Sequence, residues 1–368
     1  MARALSSAPR VRVSGRDPHL RVHLGAWARA QGHAIDGDGD VVVRGPFQER
    51  RTAGMERAGG AGEVVAHAPA TWGLAPRGAL VEAGGPALAG ADLSGRDEVW
   101  TDLAPRLYAQ AAAGQWDPAT AVDWGAPVDL PDDVEDAVVQ VMTYLVENEQ
   151  AALLVPARVL GRIHPHFREV VQFLATQVAD EARHVEVFTR RATLTGRGLG
   201  VSGAGGRASL QTLLDEPEWA LASFLLSVMG EGTFLSLLSF LEACAPDPVT
   251  RQVARLALQD EGRHVAFALG HLGNHLSADP ALRDRLRAAV ERRHDALAST
   301  SGLAPDVHDA LVVLAAGSWD AAAIARGWAS VQRLQAEMDE GRRRRLARLG
   351  FNERDAESLS ALHTRNFM

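Results

Sequence analysis

The chain contains no lysine; all 38 of its basic residues are arginine. Chemistry that needs an ε-amino group, a Schiff base above all, is excluded. There is one cysteine, Cys244. That removes a disulfide framework, cysteine-held iron–sulfur clusters and four-cysteine metal sites. No apolar signal region stands at the N-terminus, so a cytoplasmic location is the expectation. Positive charge is not in excess: the net charge is −8, and no nucleic-acid partner is expected. Long apolar runs are nearly absent too. The exception, Trp219 to Leu241, carries one charge, Glu231. It is long enough to cross a bilayer. A carboxylate at its centre is costly in lipid or in a protein core unless something pairs with it. With no second run and no aromatic belt, the reading is no membrane span but a buried helix that delivers Glu231 to a cation. Gly230 and Gly232 flank that glutamate. Each costs about 1 kcal/mol in a helix interior, which points to close packing, a local bulge or room for a ligand.

What is present is ordinary for a globular chain: 46% hydrophobic and 23% charged residues over 368 positions, enough for one or two domains. Within it one pattern occurs twice. Asp180-Glu181-Ala182-Arg183-His184 and Asp260-Glu261-Gly262-Arg263-His264 share Asp-Glu-x-Arg-His. Glu and His three apart lie on one helix face, about one turn from each other, so both reach a single metal ion. Asp180 and Asp260 are suited to accept a ring N–H of a ligating histidine, and Arg183 and Arg263 to balance the negative charge. A third Glu-x-x-His, Glu291 to His294, lies in an arginine-dense stretch and reads as a charged helix face.

Along the chain, residues 1–95 read as a small α+β accessory domain. Val11–Val13 and Val41–Val43 are strand candidates around a helix from Leu20 to Gln31, closed by Gly32, a β-α-β unit. Glycine- and alanine-rich irregular sequence follows. Part of this region faintly resembles a small sulfur-carrier domain but lacks the cysteine that family needs. Residues 96–130 form a connector, whose Trp100, Trp116 and Trp124 are expected to pack on a bundle. Residues 131–368 form that bundle and its C-terminal helices. Pro131, Asp132 and Glu135 mark a helix start. The four bundle helices are predicted over about 132–159, 166–193, the apolar run, and 248–275. On the first, Glu149 shares a stripe with Val138, Met142, Leu145 and Leu153, whereas Glu147 lies on the face of Gln140 and Thr143. Glu149 is therefore the inward carboxylate. Gly196 to Gly206 reads as a flexible crossover loop. Its match to a dinucleotide fingerprint follows a helix rather than a strand, so it lacks the required context. Further helices are predicted near 280–298, 305–317 and 319–348, with Arg342 to Arg345 as a solvated face. His271, His275 and Tyr144 read as packing residues.

The halves repeat: Glu149 to Glu181 spans 32 residues and Glu231 to Glu261 spans 30. Each helical hairpin offers Glu, then Glu-x-x-His. Four buried carboxylates would repel without cations, and this donor set suits iron or manganese. Phe188, Val228, Phe234 and Leu235 surround the site and are candidate pocket residues.

Over about residues 132–275 the chain resembles the ferritin-like di-iron carboxylate superfamily, in its oxygen-activating branch. Asn148-Glu149-Gln150-Ala151-Ala152 and Val228 to Phe234 look like the single-Glu ligand segments of bacterial multicomponent monooxygenases. The resemblance implies a mainly α, ferritin-like four-helix bundle with Glu149, Glu181 and His184 on one iron and Glu231, Glu261 and His264 on the other, with Glu149 and Glu231 as catalytic carboxylates. It further implies two Fe ions (Mn fits the same ligands), dioxygen as co-substrate, hydroxylation or N-oxygenation of a small organic substrate, and an electron-donor reductase or ferredoxin. A homodimer is compatible with it. Two departures stand out. Phe188 occupies the position where ribonucleotide reductase small subunits carry a radical tyrosine, and Ala257 occupies that of the extra histidine of arylamine N-oxygenases. The competing functions are an iron-binding or ferroxidase bundle and a peroxide-consuming dimetal protein.

Overall fold

In a computed structural model, the described residues are 1–45, 55–297 and 305–364. Two compact units divide them: Met1–Glu63 with Thr71–Leu88, and Val64–Ala70 with Ala89–Met368. The residue 298 end of one expected helix, part of the glycine-rich N-terminal stretch, and residues 365–368 lie outside the described residues.

In the first unit, α1 (Ala2–Ser7) and α2 (Leu20–Ala30) cover a sheet of β1 (Arg10–Arg12), β2 (Ala34–Asp36) and β3 (Val41–Val43) in the order β1-β3-β2. Leu5, Leu24, Ala28 and Val42 are its core. The expected outer strands are present, but β1 and β3 pair antiparallel, and β3 also pairs with β2. The sequence reading missed β2. Gly37 and Gly39, both at positive φ, turn the chain back into a hairpin. A second ribbon pairs β4 (Glu56–Arg57) with β5 (Leu80–Val81).

The second unit is helical. After α3 (Arg96–Val99) and α4 (Ala104–Ala113) come α5 (Asp132–Leu160), α6 (Arg168–Thr193) and α7 (Ala204–Leu214). The apolar run then forms α8 (Trp219–Ser223), a π-helical stretch (Phe224–Glu231) and α9 (Gly232–Cys244). Helix α10 (Pro248–Ala278) completes the bundle, and α11 (Leu282–Leu297), α12 (Pro305–Ala316), α13 (Ala321–Arg348) and α14 (Glu353–Thr364) pack around it. The bundle helices are α5, α6, the π-containing helix and α10, and the first two and last two pack as hairpins. Trp219–Cys244 has the length and apolarity of a membrane span, and 83% of its most apolar window is buried by the surrounding protein. Its apolarity is that of a helix enclosed on all sides.

Local chemistry sets the ends. Asp247 caps α10, accepting from the Thr250 N–H at 2.8 Å, with Pro248 at the first helical position. Helix α5 begins at Asp132 as expected, but Glu135 makes no cap. It is buried and pairs with Arg191 Nη2 at 2.8 Å. Arg191, wholly buried on α6, also binds Asp247 at 2.9 Å and Thr250 at 2.7 Å. One guanidinium thus ties α5, α6 and the start of α10 together.

Three further expectations change. The glycine-rich crossover is pinned: Gly200 N–H donates to Thr143 Oγ1 and Val201 N–H to Gln140 Oε1, both at 2.8 Å. Its last part leads into α7, whose Leu210 and Leu213 are buried. The arginine run is not a solvated face. Arg343 and Arg344 point outward to Asp339 and Glu340, while Arg342 and Arg345, three apart, are buried. In the third Glu-x-x-His, Glu291 is exposed, but Arg293 is buried and donates to Thr212 at 2.8 Å.

His271 and His363 are buried imidazoles held neutral. Burial, with some repulsion from His275, pushes His271 down to about 3. Burial and the nearby arginines hold His363 well below its ordinary value. A folded value below the unfolded one of about 6.5 means that unfolding takes up a proton once the pH falls below 6.5. The stability these two histidines contribute is therefore full above pH 6.5 and is lost on acidification. By pH 5 His271 alone accounts for about 2 kcal/mol. Urea unfolding of wild type and His271→Gln at pH 7.5 and 5 checks this; the variant should lose less stability between the two.

Candidate metal centre

Glu149 from α5, Glu181 and His184 from α6, Glu231 from the π-helical stretch, and Glu261 and His264 from α10 converge in the bundle interior. All six are buried. Their ligand atoms form two overlapping groups, each with its donors within 4.8 Å of one another: Glu149, Glu181, His184 and Glu261, and Glu181, Glu231, Glu261 and His264. Glu181 and Glu261 belong to both, so they stand where bridging carboxylates would, between one terminal Glu–His pair and the other.

The histidines turn Nδ1 toward the carboxylates. His184 Nδ1 is 3.0 Å from Glu181 Oε2, 3.4 Å from Glu261 Oε1 and 3.5 Å from Glu149 Oε2. His264 Nδ1 is 3.0 Å from Glu181 Oε1 and 3.5 Å from Glu261 Oε2. The outer nitrogens are held across the bundle. His184 Nε2 is 3.2 Å from Asp260 Oδ2, and His264 Nε2 is 3.2 Å from Asp180 Oδ2. Each repeated Asp therefore orients the histidine of the other copy. Arg183 and Arg263 lie against the same pair: each binds the Asp of its own motif and reaches the other at 3.3 Å. This closes a crossed Asp–Arg network beside the ligands, and an Asp–His contact of this kind fixes both tautomer and ring orientation.

Three contributors escaped the sequence reading. Trp116 Nε1 donates to Asp260 Oδ2 at 2.8 Å, and Gln115 Nε2 to Asp180 Oδ1 at 3.1 Å. The connector thus caps both aspartates, and Arg183 lies 5.0 Å over the Trp116 ring. Gln177, one turn before Glu181 on α6, donates to Glu231 Oε1 at 3.2 Å. Only Trp116 carried a sequence signal, as a packing aromatic.

The electrostatics follow from burial. Glu149 and Glu231 are pushed well above the carboxylate range by burial, then by the facing Glu181 and Glu261 charges respectively. Burial pushes Glu181 the same way, but His264 and His184 outweigh it and hold its carboxyl below the ordinary value. His184 and His264 go up against their own burial because carboxylates surround them. The donor set fits a pair of divalent cations. Glu181 Oε1 and His264 Nδ1 lie 3.0 Å apart without hydrogen-bond alignment. Glu231 Oε2 and Glu261 Oε2 have no hydrogen-bond partner among the described residues. Buried lone pairs gathered in one place with no donor for them are the pattern of cation ligands.

A small apolar cavity of about 30 Å³ adjoins the centre, lined by Glu149, Glu231 and Glu261 together with Ala152, Leu210, Leu213, Leu226 and Phe234. Of the expected pocket residues only Phe234 lines it. Phe188 packs against His184 instead, with ring centroids 6.3 Å apart. Val228 is fully buried in the helix core. Leu235, one residue past Phe234, is half-buried and packs against that same core. Leu210 and Leu213 take their place because α7 lies over this end of the bundle.

No family model matches the chain, and no curated protein matches it. Solved structures do. A point mutant of the R2-like ligand-binding oxidase with an aerobically reconstituted Fe/Fe cofactor is similar to it with a TM-score of 0.51 and 21% identity, over 67% of this chain and 94% of that one. Another mutant of that oxidase, with a Mn/Fe cofactor, gives 0.47 and 20% over 69% and 94%. A protein from Synechococcus with aldehyde deformylating oxidase activity gives 0.45 and 20% over 62% and 96%. The first of these likenesses establishes the fold: the chain has the ferritin-like helical architecture of that oxidase, with additional chain outside the matched region.

Proposed function

We propose that the chain is a non-haem dimetal oxidase that uses dioxygen to oxidise a small organic molecule, by hydroxylation or N-oxygenation. The observation that carries this is the pair of overlapping ligand groups opening onto an apolar cavity. Glu149, Glu181 and His184 would hold one ion, and Glu231, Glu261 and His264 the other, with Glu181 and Glu261 shared. The ions are iron, with manganese accepted by the same donors; the similar oxidases carry Fe/Fe or Mn/Fe cofactors. Bound in the reduced state, such a pair supplies the electrons that activate dioxygen.

The protein's own groups do the rest. The crossed aspartates keep the imidazoles aimed with Nδ1 inward. Glu149 and Glu231 each belong to a single ligand group, and both face the cavity. They are the carboxylates that would meet substrate, and the burial and facing carboxylates that raise both without cations are what bound cations would offset. The leucine, alanine and phenylalanine walls give the space beside these carboxylates the apolar lining that a small organic substrate would meet. Glu149 and Glu231 are the catalytic residues of this reading. The electrons for repeated turnover would come from a reductase or ferredoxin.

Ferrous protein prepared anaerobically and mixed with oxygenated buffer tests the proposal. Oxygen uptake in proportion to bound iron is expected, with a further increase when a small apolar substrate and a reductant are supplied. Uptake of many irons per chain would mark a storage protein, and turnover of peroxide without organic substrate a peroxidase.

A further inference from the structure

The π-helical stretch needs an explanation of its own. It runs from Phe224 to Glu231, so the wide turns end on the residue that faces the centre. A π turn holds one residue more than an α turn and is found mostly at functional sites. Relaxing it to α-helix would rotate one flank against the other by about 100°. Since α9 is anchored by the buried Leu237, Leu238 and Leu241, the position of Glu231 toward the metals depends on that register being kept.

The side chains that keep it come from helix α13 and from Thr233 at the start of α9. Arg345 Nε donates to the Val228 carbonyl at 2.7 Å. Thr233 Oγ1 donates to the Met229 carbonyl at 2.6 Å, and itself accepts from Arg342 Nη1 at 3.3 Å and Arg345 Nη2 at 3.5 Å. Two consecutive carbonyls of the π stretch are thus satisfied by side chains. Gly232 makes the approach feasible, because a Cβ there would overlap the Arg345 guanidinium. Arg345 is buried and forms no ion pair with a carboxylate among the described residues. Its hydrogen bonds to this helix are what a buried guanidinium gains there.

We propose that Arg345 is a positioning residue that holds the π-helical register of Phe224–Glu231 and thereby places Glu231, with Gly232 kept free of a side chain to admit it. The proposal rests on the dimetal reading for its consequence at the centre, but not for the register itself.

The test uses the full chain. Ferrous binding is measured by anaerobic equilibrium dialysis, and amide exchange over 224–235 by mass spectrometry on metal-free protein, for wild type, Arg345→Met, Arg345→Lys and Gly232→Ala. Arg345→Met and Gly232→Ala should weaken one of the two ferrous sites by about tenfold or more and leave the other near wild type. Both should change exchange over 224–235 alone. Arg345→Lys, which keeps a donor for the Val228 carbonyl, should recover part of the loss, and it carries the measurement if the methionine variant fails to fold. Leu346→Ala is the control for ordinary destabilisation: it should lower the unfolding midpoint and keep both sites. Unaltered binding at both sites together with unaltered exchange in Arg345→Met and Gly232→Ala would overturn the proposal. If wild type itself binds no ferrous ion, the dimetal reading fails, and the exchange data alone decide the register.

Discussion

Alanine at Glu261 is expected to abolish binding of both metal ions, whereas alanine at Glu149 or Glu231 removes one. The difference comes from geometry. Glu261 and Glu181 each belong to both ligand groups, while Glu149 and Glu231 each belong to a single group. Removing a shared carboxylate leaves each group three donors and deprives the two ions of the negative charge between them. Removing a terminal one leaves its neighbour's group intact. Asp260→Ala should behave in a third way. It touches no metal position, but it orients His184 at 3.2 Å and receives Trp116 and both arginines. Loss of such a support costs about 10- to 100-fold in metal affinity, without loss of stoichiometry at saturating metal. Metal titration of the four variants separates the classes. Two ions retained by Glu261→Ala would show that the shared position is wrongly assigned.

Arg191→Met should destabilise the fold by about 3–5 kcal/mol, since a buried charge network that loses one partner leaves the others uncompensated. Here the stranded groups are Glu135 and Asp247, both buried, paired to Arg191 at 2.8 and 2.9 Å. Thr250 loses a partner as well, and with it the start of α10, the helix that carries Glu261 and His264, is loosened. The cost belongs to stranding rather than to any great strength of the pairs. Replacing Glu135 and Arg191 by apolar residues of similar volume and Asp247 by Ser, which keeps an acceptor for the Thr250 N–H, should recover most of it. Urea unfolding of the single and triple variants measures both quantities. A single variant within about 1 kcal/mol of wild type would mean that the network is solvated or repacks freely.

The convergence of the six candidate ligands was legible in the sequence because its signals are periodic. Glu-x-x-His fixes a helix face without tertiary knowledge, and the apolar stripe separates Glu149, buried, from Glu147, half-buried. What was not legible depends on which elements meet. Gln177, Gln115 and Trp116 act on residues 54, 65 and 144 positions away, and no local pattern marks such pairs. Arg342 to Arg345 misled as a run because composition was read without period. Taken at helical spacing, Arg342 and Arg345 share the stripe of Met338 and Leu346, which was the available signal. The flanking glycines of Glu231 pointed to close packing, a bulge or room for a ligand without choosing among them, and only the structure shows the π-helical turn and Arg345 occupying the space that Gly232 leaves. Of the four expected pocket residues Phe234 lines the cavity. Phe188, Val228 and Leu235 are close to the ligands in sequence, yet two of the cavity's leucines, Leu210 and Leu213, come from α7, a helix that the glycine-rich crossover concealed.

The most direct test of the central claim is ferrous binding by the wild-type chain under anaerobic conditions, followed to saturation and counted per chain. The overlapping groups predict two equivalents, both lost in Glu261→Ala. A wild-type protein that saturates with no ion, or with a single ion indifferent to Glu261, would contradict the dimetal centre and leave the bundle as a scaffold without it.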